Sequence, residues 1–345
     1  MDSPLSPSLL FCRRRFLRQS VAFSALATLG AYSSLASTPT SEPGASEILM
    51  IGDWGYMDTK AQSAVASGMS AYARKNSIHP EAFLLLGDNW YEELAGGAKS
   101  PRWQTQFEDM YPQDVFNCPA YAILGNHDYQ HFPGNKVEDE LEYARTARTS
   151  NGPTRFTMPA RWYRFEFPKV NPLITFIALD SNMPHDESNK QSRNFFLTPQ
   201  QQAEQLTWLE TELKRPRTTP FLVAMGHHPV YSDGPHGDHP ILIRDWDPLF
   251  RKYNVNLYLA GHDHDLQHLE FDGHPTSHFL SGGGGADLYN LKIEQDKRGP
   301  FAQKVYGFSH LSATRNKLTL RHVDPNGRTL HAFNKTADGK VEILG

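Results

Sequence analysis

The sequence predicts an α/β fold in which buried, largely parallel strands alternate with helices. Six short apolar runs recur along the chain, and each is continuous rather than alternating, as in strands that are buried on both faces. Stretches with helical character lie between several of these runs, at residues 60–75 and 199–215, and the second opens with a Thr-Pro pair typical of a helix cap and first turn. Strand, helix and strand in succession favour right-handed crossovers and parallel pairing.

Each predicted strand ends at a small polar cluster. In a parallel sheet, ligands bind at the carboxyl ends of the strands, where the connecting loops converge. Five of the six runs bring a potential metal ligand to that edge, and the exception is the run that ends before Asp180. The six strands are predicted at residues 48–51, 82–86, 120–124, 173–179, 221–225 and 255–260.

The composition is that of a globular protein with an extensive core, because 39% of the 345 residues are hydrophobic and 21% are charged. The formal net charge is -4, and the body of the chain carries no long run of Lys and Arg, so nucleic-acid partners are not expected. Neither a Pro/Ser-rich linker nor an internal repeat divides the chain after its N-terminal segment. Residues 37–345 are therefore expected to form a single catalytic domain.

The two cysteines, Cys12 and Cys118, restrict the metal chemistry. Cys12 lies in the N-terminal segment, so residues 37–345 hold one cysteine and can form neither an intramolecular disulfide nor a Cys-rich zinc site. Any metal must then be held by His, Asp, Asn or Tyr. Histidine is plentiful, at 16 residues.

The N-terminal segment has the character of an export signal. Residues 13–17 read Arg-Arg-Arg-Phe-Leu, which resembles the twin-arginine signal, and a moderately apolar run follows at residues 20–36. We expect residues 1–36 to be a signal peptide that engages the export machinery and is cleaved near Ala36, which places a bacterial protein in the periplasm or outside the cell. A disordered basic N-terminus or a short membrane anchor is the alternative. The run is shorter than the ~20 apolar residues that a span needs, so no membrane span is expected.

Five short blocks at the strand ends carry the chemistry: Gly-Asp-Trp-Gly, Gly-Asp-Asn-Trp-Tyr, Gly-Asn-His-Asp, Gly-His-His-Pro and Gly-His-Asp-His. In-line attack on phosphorus needs a nucleophile near neutral pH and cations that absorb charge on the phosphoryl oxygens, and two metals about 3.5 to 4 Å apart supply both. Singly, such residues are as common in turns, caps or the core. A role in turns, caps or the core does not explain why all five blocks directly follow buried strands. The candidates are Asp53, Asp88, Tyr91, Asn126, His127, His227, His262 and His264.

The five blocks, in this order, resemble the metallophosphoesterase family and specifically its purple acid phosphatase branch, in the small single-domain form typified by tartrate-resistant acid phosphatase. That branch has a Tyr three residues after the second Asp, as here. The resemblance covers most of residues 46–335 and implies a four-layer αββα sandwich of two mixed β-sheets flanked by helices. It also implies a metal-dependent acid phosphatase that hydrolyses phosphate monoesters with a metal-held hydroxide, acting on phosphorylated small molecules or phosphoproteins.

The resemblance implies a role for each ligand candidate. Asp88 bridges two metals, Asp53, Tyr91 and His264 complete one shell, and Asn126, His227 and His262 complete the other. A phenol with an ordinary pKa of about 10 binds as phenolate only beside a strongly polarising ion. Tyr91 therefore favours Fe(III) at the first position, with Fe(II), Zn(II) or Mn(II) at the second.

Two further histidines match family positions that contact phosphate and assist protonation of the leaving group. They are His127, directly after Asn126, and His236, nine residues after His227. Esters with poor leaving groups need a positioned acid, and such an acid in a cation-rich site predicts activity at low pH. A solvated loop histidine is the alternative for His236. His228 stands where the family often has Tyr, and it either contacts substrate or has no role.

Three expectations concern the loops. The Gly before each block is expected to let the chain turn off the strand, often with φ > 0. Residues 282–285, all Gly, lack the Lys and Ser/Thr of a P-loop, and a turn near the site is expected rather than a phosphate cradle. Residues 131–160 are polar with mixed charge and are expected to form a long excursion near the mouth of the site.

Two other functions stay open at this point. A phosphodiesterase or nucleotidase would use the same metals, and a metal- or phosphate-binding protein without catalysis would keep the fold. Because no ligand and neither acid candidate is missing, loss of catalysis is disfavoured.

Overall fold

Seventeen short strands and a few helices make up the regular structure of the described residues. A computed structural model describes residues 42, 44–130, 135–183, 196–292 and 298–344. The predicted signal at residues 1–36 lies outside them and stays a prediction. The strands are β1 (Ser46–Ile51), β2 (Ala82–Leu85), β3 (Ala120–Ala122), β4 (Arg148–Thr149), β5 (Gly152–Pro153), β6 (Phe156–Thr157), β7 (Tyr163–Phe167), β8 (Ile174–Ala178), β9 (Phe221–Met225), β10 (Leu257–Ala260), β11 (Leu266–Leu269), β12 (Ser277–Ser281), β13 (Phe301–Gln303), β14 (Phe308–Ala313), β15 (Lys317–Val323), β16 (Thr329–Thr336) and β17 (Val341–Leu344).

The helices lie mostly in the first three quarters of the sequence. They are α1 (Lys60–Lys75), α2 (Lys136–Thr146), α3 (Pro199–Lys214), α4 (Pro240–Asp245) and α5 (Asp247–Lys252), with a 3₁₀ turn at Gly97–Lys99 and a π-helical segment at Trp103–Glu108. Within the ranges that the structure describes, none of the helices has the length and apolar character to cross a membrane.

Two mixed β-sheets form the centre of the molecule. Sheet 1 has the order β17-β16-β15-β14-β1-β2-β3-β6, and sheet 2 has the order β13-β11-β12-β10-β9-β8-β7. The sheets face each other across a layer of stacked rings. Phe279 of sheet 2 stacks on His322 of sheet 1 with ring centroids 3.9 Å apart, and His268 of sheet 2 stacks on Phe333 of sheet 1 at 3.7 Å.

Helices cover the outer faces of both sheets. The ring of Tyr72 in α1 lies 5.4 Å from that of Phe308 in sheet 1. In α3, Glu212 accepts a hydrogen bond from Arg164 of sheet 2 at 3.2 Å. The order helix, sheet, sheet, helix confirms the predicted four-layer αββα sandwich of two mixed sheets.

All six apolar runs form strands, and the two predicted helices are present. Helix α1 spans the predicted residues, and α3 begins where the sequence places its cap. The Thr198 hydroxyl oxygen accepts the backbone N–H of Gln201 at 3.2 Å, while the Gln201 side-chain oxygen accepts the backbone N–H of Thr198 at 2.9 Å. This reciprocal pair satisfies two backbone donors that the first helical turn cannot, and it fixes the start of the helix.

Parallel pairing holds at the centre of sheet 2 and along one half of sheet 1, out to its edge strand β6. β1, β2 and β3 pair in parallel, as do β8, β9, β10 and β12. Strands β14 to β17 are antiparallel, because the turns between them are too short for a parallel crossover. The prediction of largely parallel strands is therefore correct only for the part of the fold that carries the candidate ligands.

Helix α2 occupies much of the region for which the sequence predicts a polar excursion, residues 131–160. The ammonium group of Lys136 donates to the backbone oxygen of Trp90 at 2.8 Å. The Glu140 carboxylate accepts from the side-chain amide of Asn89 at 2.9 Å. The prediction is corrected for residues 136–146, which form a helix. Its buried Lys136 and Glu140 support the chain after β2, while Glu138, Glu142 and Arg145 are exposed.

Candidate metal centre

The five ligand blocks meet at one edge of both sheets. The blocks after β1, β2 and β3 come from sheet 1, and those after β9 and β10 come from sheet 2. Neighbouring strands in each set run parallel, so their carboxyl ends lie side by side. Most of the predicted ligands are buried, namely Asp53, Asp88, Tyr91, His227 and His264, whereas Asn126 and His262 are partly buried.

Asp53, Tyr91 and His264 form the first ligand group. The Tyr91 hydroxyl oxygen lies 2.9 Å from His264 Nε2 and 3.3 Å from Asp53 Oδ1. His264 Nε2 lies 3.5 Å from Asp53 Oδ1. Ligand atoms at about 2.0 to 2.2 Å from one ion lie about 3 Å from each other, so these separations fit a shared metal.

Asn126, His227 and His262 form the second ligand group. His227 Nε2 lies 3.1 Å from Asn126 Oδ1, and the rings of His227 and His262 have centroids 5.1 Å apart. Asp88 reaches this group, because its Oδ1 lies 3.3 Å from His227 Nε2. Asp88 also offers a ligand atom within 4.8 Å of those of Asp53 and His264, so it lies between the two groups, where a bridging carboxylate is needed.

Three of the predicted ligands have a left-handed backbone. The angle φ is 59° at Asp53, 51° at Asp88 and 72° at His262. Non-glycine residues seldom adopt this conformation, which costs on the order of 1–3 kcal/mol each. The expectation that the preceding glycines supply the positive φ is wrong for four of the five blocks and correct only for Gly87, at 87°.

Two of these glycines are needed for a different reason, because a carboxylate oxygen of a neighbouring block lies too close for a Cβ atom. A Cβ atom at Gly125 would lie 2.2 Å from Asp88 Oδ1, and one at Gly261 would lie 2.6 Å from Asp53 Oδ2. No side chain fits at either distance. These glycines therefore make room for the carboxylates of neighbouring blocks.

The centre concentrates negative charge that the protein does not neutralise with Lys or Arg. Within the described ranges, the ion pairs of Asp53 and Asp88 are with histidines. Burial lowers the pKa of His227, but the charge of Asp88 outweighs it and raises that pKa to about 10. A donor set of carboxylate, phenol, amide and imidazole groups in a negative, buried environment fits two metal cations.

Burial, then the charges of Asp88 and Asp53, raise the pKa of Tyr91 well above its ordinary value. Without a cation the side chain therefore stays a neutral phenol. A strongly polarising ion in direct contact would convert it to phenolate, which favours a hard, highly charged metal beside Tyr91.

Comparison with known proteins decides the family. The family model described as calcineurin-like phosphoesterase matches residues 46–266. This chain belongs to the calcineurin-like phosphoesterase family. Purple acid phosphatase 7 of Arabidopsis thaliana is 30% identical over 295 residues, which cover 84% of this chain and 85% of the plant protein. Tartrate-resistant acid phosphatase type 5 of Homo sapiens is 28% identical over 301 residues, which cover 81% of this chain and 87% of the human protein. The resemblance deduced from the motifs is confirmed.

Solved structures share the calcineurin-like phosphoesterase fold. GAP50, the anchor in the inner membrane complex of Plasmodium, matches with a TM-score of 0.69 and 21% identity, over 87% of this chain and 90% of that protein. A purple acid phosphatase from yellow lupin seeds matches with a TM-score of 0.61 and 15% identity, over 87% of this chain and 54% of the lupin chain. One name describes an anchor and the other a phosphatase, so the fold by itself does not decide the activity.

In this calcineurin-like phosphoesterase, the two predicted catalytic histidines flank different ligand groups. The ring of His127 lies 4.0 Å from that of Tyr91, and its backbone N–H donates to Asp88 Oδ1 at 2.8 Å. The ring of His236 lies 4.1 Å from that of His262, and its side chain is 42% exposed. Both histidines lie beside the ligands rather than among them.

Asp263 is a functional candidate that the sequence analysis missed. It stands between the ligand candidates His262 and His264, yet its carboxylate accepts a hydrogen bond from His236 Nδ1 at 2.7 Å and another from the Ser232 hydroxyl. A sequence signal was available. Asp263 lies between two predicted ligands, so its carboxylate has to lie at or beside the site wherever the two histidines bind.

Asp128 is the second residue that was missed. It is buried directly after His127, and its carboxylate accepts the backbone N–H groups of Gly125 and Trp90, each at 2.8 Å, and of Asn89 at 3.1 Å. Asp128 thereby ties the second ligand block to the third. Its residue type and position give no sign that it supports backbone rather than metal.

A second group of potential metal ligands lies elsewhere in the chain. Asp247, His274 and His278 are buried and offer ligand atoms within 4.8 Å of one another. His274 Nδ1 accepts the backbone N–H of Thr276 at 3.0 Å, so Nε2 carries the proton and donates to Asp247 Oδ1 at 2.6 Å. With that proton in place Nε2 has no lone pair for a metal, and we interpret the group as structural.

The glycine run at residues 282–285 forms the predicted turn. It follows β12, and the backbone N–H of Gly284 donates to the backbone oxygen of Gly52 at 3.1 Å. The run therefore packs against the first ligand block and helps to position Asp53.

Proposed function

We propose that this phosphoesterase is an exported acid phosphatase that hydrolyses phosphate monoesters with a centre of Fe(III) and a divalent Fe, Zn or Mn ion. One observation carries the proposal. The hydroxyl of Tyr91 lies 2.9 Å from His264 Nε2 and 3.3 Å from Asp53 Oδ1, inside a buried, negatively charged ligand group. A phenol in such a group favours Fe(III). The acid phosphatases at about 30% identity support the same activity.

The chain's own residues define where the metals would be held. The first ligand group would hold Fe(III), the second group would hold the divalent ion, and Asp88 would contact both. When bound, two such ions supply an activated nucleophile and neutralise charge on the phosphoryl oxygens. The contacts that hold Asp53, Asp88 and His262 in a left-handed backbone support a site whose ligands are positioned before a substrate arrives.

His236 is suited to hold the proton that the leaving group needs. Asp263 accepts the hydrogen of Nδ1, which leaves Nε2 of the exposed ring to exchange a proton with the departing oxygen. His127, beside Tyr91, is placed to contact the phosphoryl group. An acid that must be protonated favours turnover below neutral pH.

The metal part is tested by elemental analysis and visible spectroscopy of protein purified from its own host. We expect iron in every molecule, a second metal, and an absorption band from the contact between phenolate and iron. A colourless protein that contains only zinc would contradict the Fe(III) assignment.

The substrate part is tested by comparing a monoester with a diester that share one leaving group, such as p-nitrophenyl phosphate and bis(p-nitrophenyl) phosphate. We expect the monoester to be cleaved faster at acid pH. Faster cleavage of the diester, or strong preference for a nucleotide, would favour the phosphodiesterase or nucleotidase. Absence of all hydrolysis with both metals bound would favour a protein without catalysis.

The export part of the proposal rests on residues 1–36. Replacing Arg13 and Arg14 together by Lys keeps the charge but removes the arginine pair that the twin-arginine route requires. We expect this variant to accumulate in the cytoplasm, while the control Arg18→Lys, outside the pair, is exported. Periplasmic accumulation of both variants would contradict this route.

A further inference from the structure

His228 is held beside the metal centre in the same way as His236. Both rings pack against His262, with centroids 4.3 Å and 4.1 Å from it. In each ring Nδ1 is held by a buried side chain, Ser181 at 2.9 Å for His228 and Asp263 at 2.7 Å for His236. Because His236 is proposed to act on the bound ester, the same arrangement suggests that His228 also contacts the ester.

Ser181 determines which nitrogen of His228 carries the proton. Its hydroxyl oxygen accepts the backbone N–H of His228 at 2.8 Å. For its own hydrogen, the acceptor among the described residues is Nδ1 of His228, and Ser181 is fully buried, so water offers no substitute. A neutral imidazole that accepts at Nδ1 carries its hydrogen on Nε2. His228 is therefore a fixed N–H donor.

This donor is free to bind a ligand. In the part of the chain that the structure describes, Nε2 of His228 has no hydrogen-bond partner, and the residue keeps 8% of its surface exposed. The ring lies beside His227 and His262, with centroids 5.1 Å and 4.3 Å away. The ring therefore lies at the second ligand group, where a phosphate ester would approach.

We propose that His228 is a substrate-binding residue whose Nε2–H donates a hydrogen bond to a non-bridging phosphoryl oxygen of the bound ester. The inference rests on the proposed function, because it requires phosphate at the metal centre. It also gives a role to the end of β8, the strand that brings no predicted ligand to the sheet edge and instead supplies Ser181. A donor that faces a charged phosphoryl oxygen forms a stronger hydrogen bond than one between neutral groups.

Two variants separate this role from a merely structural one. In His228→Gln the side-chain amide reaches about as far as Nε2, whereas in His228→Asn it reaches about as far as Nδ1. If His228 binds substrate, the Gln variant keeps a KM close to that of the wild type. In the Asn variant, KM and the inhibition constant of inorganic phosphate rise about 10-fold or more, as expected for a lost hydrogen bond to a charged group. If His228 only holds Ser181, the Asn variant keeps a KM close to that of the wild type and the Gln variant shows the higher KM.

Calorimetric titration with inorganic phosphate provides a readout that does not require turnover. Each variant is measured with both metals bound and its metal content verified, and we expect the affinity for phosphate to fall in the Asn variant alone. Suppose that the wild type hydrolyses monoesters and that both variants bind phosphate as tightly as the wild type. This result would overturn the role of His228 and leave the proposed function intact. Wild-type protein that neither binds nor hydrolyses phosphate esters would overturn both.

Discussion

The carboxylate of Asp263 accepts a hydrogen bond from Nδ1 of His236 at 2.7 Å, although the two residues lie in different loops. Asp263 belongs to the short segment that also carries the ligand candidates His262 and His264. One segment therefore positions two predicted metal ligands and, through Asp263, the proposed acid. Because His262, Asp263 and His264 share one stretch of backbone, the hydrogen bond to Asp263 restricts movement of the His236 ring relative to the metals.

Asp263→Asn should separate acid catalysis from metal binding. The amide oxygen still accepts from Nδ1, but a neutral acceptor stabilises the protonated ring less than a carboxylate does. We expect kcat for an alkyl phosphate to fall about 10-fold to 100-fold, within the range that a positioned acid contributes. Metal content should not change.

The matched control for this variant is an ester that needs little help from an acid. With p-nitrophenyl phosphate as the substrate, the loss in kcat should be several times smaller. Equal losses on both esters would argue that Asp263 supports the metal segment rather than the acid.

Tyr91→Phe removes one ligand candidate and leaves the aromatic ring in place. We expect the visible absorption band to disappear and the iron content to fall relative to zinc, because the phenolate that favours Fe(III) is absent. Tyr56→Phe is the control, since its ring lies 5.3 Å from that of Tyr91 while its hydroxyl bonds Asp287 instead. A Tyr91→Phe protein that keeps its colour would show that another group provides the band.

Gly125→Ala tests whether close approach at the ligand blocks matters. The new methyl group would lie 2.2 Å from Asp88 Oδ1, so the carboxylate or the backbone has to move. We expect the free energy of unfolding to fall by about 1–3 kcal/mol and metal affinity to fall with it. In the control Gly273→Ala the added atom meets nothing within 4 Å, although φ is 71° there. That control should lose some stability but keep its metal, and full metal content in both variants would contradict the argument.

The strands and the ligand blocks could be predicted because their signals are local. A continuous apolar run shorter than a helix indicates a buried strand, and a Gly followed by Asp, Asn or His at its end indicates a loop with ligands. The capping pair of Thr198 and Gln201 is equally local.

Other features depend on contacts between distant parts of the chain. Asp53 has a positive φ because its backbone is held between neighbouring blocks, with its N–H donating to the backbone oxygen of Gly87. The inward direction of Lys136 and Glu140 cannot be deduced from residues that are usually exposed. Asp128 and Ser181 act on backbone and on a ring that only the folded chain brings near. The sequence therefore indicates the ligands better than the residues that hold them.

His278 combines full burial with two unsatisfied nitrogens. Neither ring nitrogen has a hydrogen-bond partner among the residues that the structure describes. Burial, followed by the electrostatic effect of the neighbouring His274, lowers the pKa of His278 to about 3, and Asp247 opposes this shift. The other charged groups that face the ring lower the pKa further, and they are Lys335 and Arg251.

This shift predicts a loss of stability in acid, where the proposed activity lies. The unfolded chain binds a proton at His278 below its ordinary pKa of about 6.5, whereas the folded protein does not until about pH 3. The stability is therefore fully present above about pH 6.5 and declines as the pH falls toward 3, by about 2 kcal/mol between pH 7 and pH 5. His278→Phe removes the titration and keeps a ring of similar size among Tyr231, Tyr258 and Phe271. We expect urea unfolding to show a smaller loss from pH 7 to pH 5 in this variant, and greater stability than the wild type at pH 5. If both proteins lose the same free energy of unfolding between pH 7 and pH 5, protonation of His278 does not destabilise the folded protein.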